Sequence, residues 1–119
     1  MPHLRVFNQT KQILLCSVCK VAQSDQERTR GLLDRTSMQA GEGLLITKCQ
    51  SVHTVGMKFP IDVLFVDWAA KVRHIYRSMQ PGCRTTPVLE NQDNNWVVEL
   101  PSGGALSTEV GDQITFTRL

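Results

Sequence analysis

A chain of 119 residues with 41% hydrophobic and 20% charged residues has the composition of an ordinary globular domain. Its length suits one domain, residues 1–119, with a core able to stand without disulfide or metal staples. A net charge of +2 is too small to demand a nucleic-acid or membrane partner, and neither is expected.

In chain order, Leu4 and Val6 alternate with polar neighbours and predict a short half-buried strand, ended by a turn at Asn8-Gln9-Thr10. The apolar run from Ile13 to Val18 is too short for a membrane span or a signal core, and Leu15 rather than a small residue precedes Cys16. The cytoplasm is therefore the expected compartment, and the four cysteines read as free thiols. Ile13 to Val21 is apolar on both alternating sets, as a central strand covered on two sides should be. Ser24-Asp25-Gln26-Glu27 is a capping box that starts a helix running to about Asp34, with Leu32 and Leu33 available to the core.

Gly41-Glu42-Gly43 interrupts the pattern before a short strand, Leu44 to Thr47. Ile61 to Val66 is apolar on both faces and reads as the most buried strand; Val72 to Ser78 follows it through a hairpin, Asp67 to Lys71, that lacks the usual glycine. Trp96 to Leu100 is a further strand. Pro101 with Ser102-Gly103-Gly104 predicts a second short helix, and Gly111-Asp112 turns into a closing strand, Gln113 to Thr117. About seven short strands with two short helices predict a mainly β (α+β) fold, a small β-sandwich or partly open barrel.

The motifs gathered along this path resemble domain-of-unknown-function family 192, a bacterial and archaeal family of small β-rich domains. "ERTRGLLDR" (Glu27 to Arg35) is similar to the family's helix motif, and "SVHTVGMKFPIDVLFVD" (Ser51 to Asp67) to one branch's central motif. "PGCR" (Pro81 to Arg84), "VVELPSG" (Val97 to Gly103) and "VGDQI" (Val110 to Ile114) follow in the family's order. Two features depart from it: Asp34 stands where an apolar residue is frequent, and "CSVC" (Cys16 to Cys19) lies outside the pattern. The resemblance implies a compact β-rich fold related to sandwiches and assigns no activity.

The stretch from Ser51 to Asp62 is the candidate site. Asp62 opens the buried strand, and a carboxylate there needs a partner because an unpaired buried charge is costly. Arg30 on the first helix is the expected partner, since a guanidinium grips a carboxylate bidentately. A structural ion pair is the favoured reading of that pair, with ligand contact as the alternative. His53, Thr54 and Lys58 would hang on the loop feeding the strand, where a rigid scaffold presents binding groups. The candidate ligand-binding set is therefore Arg30, His53, Thr54, Lys58 and Asp62.

Other chemistries fit less well. Cys16 and Cys19 have knuckle spacing, but residues three apart on a regular strand face opposite ways, so no metal site is expected. Asp62 and Asp67 lie about 17 Å apart on opposite faces of a strand and cannot flank one bond. Cys49 or Cys83 with His53 carries no mark of an activated thiolate. No cofactor motif appears. Lys71, Arg73 and Arg77 form a basic stripe without stacking aromatics on the same face, which argues for a solvated surface over a nucleic-acid site. The leading expectation is a non-enzymatic module that binds a small molecule or a short peptide element of a partner. A hydrolase using His53 as general base near Asp62 is the alternative, and a scaffold docking through its edges or basic face is a third.

Overall fold

The computed structural model describes residues 3–85 and 95–119. Seven strands form one curled sheet: β1 (His3–Asn8), β2 (Ile13–Ala22), β3 (Glu42–Ile46), β4 (Ile61–Val66), β5 (Val72–Met79), β6 (Trp96–Pro101) and β7 (Ile114–Arg118). Their order across the sheet is β5-β4-β6-β3-β2-β1-β7. Only the β2–β3 pair is parallel, and the chain makes that crossover through α1 (Asp25–Arg30). The others pair antiparallel.

The curl is large enough that the outermost strands meet at one end. Lys71 just before β5 bridges to Gln113 just before β7, Val72 N donates to Asp112 O at 2.9 Å, and Ile114 N donates to Ala70 O at 2.8 Å. The result is a half-barrel with two apolar faces. The inner one draws on every strand and is built around Leu45, Leu64, Val98, Leu100 and Ile114. The outer one covers the β3–β6–β4–β5 side, where Leu44, Val63, Phe65 and Val97 pack under Leu32 from the segment after α1 and under Val52 and Met57 from the following loop. Every residue of β4 is buried because both of its faces are covered, which is why its sequence shows no alternation.

Three sequence expectations are corrected. One short helix is present among the described residues, not two. The segment after β6 closes as successive turns, Gly104 N to Pro101 O at 2.8 Å and Leu106 N to Gly103 O at 3.1 Å, with Gly103 at φ +91°. A left-handed residue at the second step cannot continue a right-handed helix. The first helix ends at Arg30 rather than near Asp34, because Gly31 takes φ +49° and the chain continues in turns.

The glycine-free hairpin between β4 and β5 forms with Ala70 at φ +62°. Asp67 takes the place of turn glycine chemistry: its Oδ1 accepts from the amides of Ala69 at 2.9 Å and Lys71 at 3.0 Å, and Arg73 Nε donates to its Oδ2 at 2.6 Å. Finally, Cys16 and Cys19 share one face. Cys16 sits opposite Val6 and Cys19 opposite Leu4, so β2 spends three steps where β1 spends two. This extra residue is a β-bulge, which re-aims a side chain, and both thiols enter the inner core fully buried.

Candidate functional site

The capping box forms as the spacing predicts. The Ser24 hydroxyl accepts from the Glu27 amide at 3.1 Å, and the Glu27 carboxylate accepts from the amides of Ser24 and Gln23. This sets the direction of α1, which lies against the outer face with no residue of its own fully buried. The apolar anchor comes just beyond it, at Leu32.

Between this anchor, the 49–57 loop and the sheet is a cavity of about 90 Å³. Residues 28–33 form one wall; Cys49, Ser51, Val52, His53 and Met57 form another; Ile46 and Glu99 come up from β3 and β6. A wider depression of about 470 Å³ shares Arg28, Thr29, Cys49 and Ser51 with it and adds Asp25, Lys48 and Gln50.

Glu99 is the unusual member. Val98 and Leu100 point into the inner core while Val97 packs in the outer one, so alternation along β6 aims Glu99 at the outer face and the cavity. The residue is 3% exposed. Its carboxyl makes no hydrogen bond or ion pair with any described residue, and burial alone pushes its pKa up to about 7. Since no sealed polar side-chain atom among the described residues lacks a hydrogen bond, the Glu99 oxygens must touch the cavity itself. Cys49 stands nearby as a thiol: burial raises it to about 11, the Glu99 charge adds to that, and Sγ donates to Ser51 O at 3.1 Å. A thiol held protonated in this way is not an activated nucleophile.

Of the five residues expected at the site, two line this cavity. Arg30 does so from α1, and its guanidinium pairs with Asp34, four residues on in the turn after the helix, at 3.2 Å and not with Asp62. His53 lines the cavity from the loop, exposed to solvent and bridged through its backbone to Arg84. Lys58 is exposed and outside it.

Thr54 is buried as a tie between the loop and the segment after β5. Its hydroxyl donates to Gln80 O at 2.6 Å and accepts from Cys83 N at 2.9 Å. Asp62 points the other way altogether. Ile61 and Val63 face outward, so Asp62 faces the inner side, where it accepts from Ser78 N at 2.8 Å, Gly103 N at 3.2 Å and Ala105 N at 2.8 Å. It meets the need for partners with three amides in place of one guanidinium. The expected Arg30–Asp62 pair is thus replaced by two unrelated arrangements on opposite faces, and His53 has no Asp62 beside it.

The basic stripe on β5 is likewise engaged locally. Arg73 serves Asp67, and Arg77 donates to Ala105 O at 2.5 Å and Thr108 O at 2.6 Å. Sequence reasoning missed Glu99, although a signal was present: a single acid interrupts an otherwise apolar strand, Val97-Val98-Glu99-Leu100. No group of three or more metal-ligating side chains gathers anywhere among the described residues. No described helix is long and apolar enough to cross a membrane.

A family model described as "Uncharacterized ACR, COG1430" matches residues 6–116. A protein of unknown function from Novosphingobium aromaticivorans has a similar structure, at 21% identity and a TM-score of 0.77, covering 95% of this chain and 83% of its own. A candidate transcription regulator from Sinorhizobium meliloti is similar at 20% identity, also with a TM-score of 0.77, covering 97% of this chain and 92% of its own. At these identities the likeness shows the fold. No curated protein matches the chain.

Proposed function

The chain belongs to the DUF192 family of uncharacterised proteins, and from that premise we propose that it is a non-enzymatic binding module whose site is the cavity between α1 and the sheet. The single observation that carries this reading is Glu99, a buried carboxyl without a partner among the described residues, aimed into a preformed cavity. Such a group is costly to keep unless something outside the chain meets it, and strongly perturbed groups in clefts mark functional sites. The cavity is far smaller than the roughly 300–1,000 Å³ that holds a drug-sized ligand. It therefore suits a small molecule, or the end of a larger one whose remainder lies in the wider depression beside Arg28, Lys48 and Gln50.

A thermal-shift screen of small metabolites tests the reading. Stabilising compounds should lose their effect in Glu99→Gln and keep it in Lys58→Ala, since Lys58 lies outside the cavity. Stabilisation that survives Glu99→Gln, or an absence of any stabilising compound, would sink it.

A further inference from the structure

Each described aspartate and glutamate other than Glu99 has a partner. Asp25 is held by Arg28, Asp34 by Arg30, Glu42 by Arg35 and Asp67 by Arg73; Glu109 and Asp112 share Lys11. Glu27 accepts the cap amides, and Asp62 accepts three amides from the turns around it. The two rim arginines of the cavity are thus already drawn to acids of their own helix and its following turn. Among the described residues Glu99 alone is left without a cation or an amide, and it lines the cavity under α1. Beside the polar groups of its rim, the cavity offers a run of apolar side chains, Leu32, Ile46, Val52 and Met57.

A ligand that satisfies both features presents a positive nitrogen to the acid and a short apolar stem to the walls. An anion would face a carboxylate in a desolvated site, where like charges repel strongly. A neutral alcohol would supply one hydrogen bond and no charge. We propose that the cavity takes the protonated nitrogen of a short-chain primary amine, seated on the Glu99 carboxylate with its alkyl stem along Leu32, Val52 and Met57. This inference rests on the pocket reading above and narrows its ligand to a chemical class.

The test uses propylammonium chloride, with propan-1-ol and sodium propionate as neutral and anionic probes of the same shape, at constant ionic strength. Binding is read from amide chemical shifts and the melting temperature of the wild-type protein. Propylammonium should shift the amides of residues 97–100 and raise the Tm, the other two probes should not, and Glu99→Gln should weaken the amine about tenfold or more, as loss of a buried charge partner does. Affinity for the amine should also rise between pH 5.5 and pH 8 as Glu99 ionises. The other charged or titratable groups facing it are Arg28 and Arg30 from α1 and Cys49 and His53 from the loop. The pH series is therefore repeated in His53→Gln, where it should keep its direction.

Propanol or propionate perturbing residues 97–100 as strongly as the amine would overturn the amine inference and leave the pocket reading standing. An unaltered amine affinity in Glu99→Gln would overturn it as well. Silence from all three probes, with hits in the metabolite screen, again removes the amine alone; silence in both experiments removes the pocket too.

Discussion

Glu99 and Asp62 lie on neighbouring strands, are equally buried, and answer their burial in opposite ways. Asp62 is surrounded by backbone amides, and its loss should be felt as stability. Asp62→Asn puts an NH2 group against amide donors, which should cost about 2–3 kcal/mol by chemical denaturation and leave ligand binding at the α1 cavity unchanged. Glu99 should behave in reverse. Its folded pKa of about 7 lies above the ordinary 4.5, so the folded state holds the proton more tightly than the unfolded chain. Stability is then highest below about pH 4.5, falls as pH rises toward 7, and is flat above that. Glu99→Gln removes this dependence, and its gain over wild type should grow across that window to at most about 3 kcal/mol at pH 8. A variant less stable than wild type at pH 8 would mean that the carboxylate has a partner after all.

At the level of the element, α1 is only six residues long, too short to persist without its cap and its anchor. Ser24→Ala removes the oxygen that accepts the Glu27 amide and should cost about 1 kcal/mol. Because residues 28–33 form a cavity wall, the same change should also weaken ligand binding, a coupling visible by titration calorimetry beside the melting curve. β3 shows a different dependence on local detail. A Cβ built on Gly43 would come within 2.7 Å of Cys16 Sγ and 3.3 Å of Glu99 O, between a core thiol and the backbone of the next strand. Gly43→Ala should therefore destabilise the protein by about 1–3 kcal/mol, the usual cost of overpacking a core.

For the molecule as a whole, the half-barrel is held shut by groups far apart in sequence. Buried Asn8 donates to Thr108 Oγ1 at 3.1 Å and to Asp112 Oδ2 at 2.9 Å, while its own oxygen accepts from Lys11 N at 3.0 Å. These bonds tie β1 to the segment before β7, at the end where Lys71 and Gln113 bring β5 and β7 together. Asn8→Ala strips a buried carboxylate of one donor and should cost about 2–3 kcal/mol in denaturant unfolding. Hydrogen exchange should speed up first around residues 70–72 and 111–114, well away from the α1 cavity. Uniform loss of protection over both faces would instead mean that the two cores open as one unit.

All seven strands, the capping box and the mainly β class were legible in the residues, because apolar periodicity, turn chemistry and caps act over a few neighbours. Ile61 to Val66 declared its two covered faces by lacking alternation, and it is buried throughout. What could not be read was which face each side chain takes. Period-two geometry says that Asp62 and Ile61 point apart, and that Val98 and Glu99 do, but it does not say which side the helix covers. A bulge that adds one residue to β2 was enough to turn Cys16 and Cys19 together. Only the curl of the sheet and the seating of α1 decided that Arg30 and Asp62 lie on opposite sides and that Glu99 opens into a cavity. Those are long-range choices, made by the burial of two separate apolar surfaces, and no local stretch of sequence contains them.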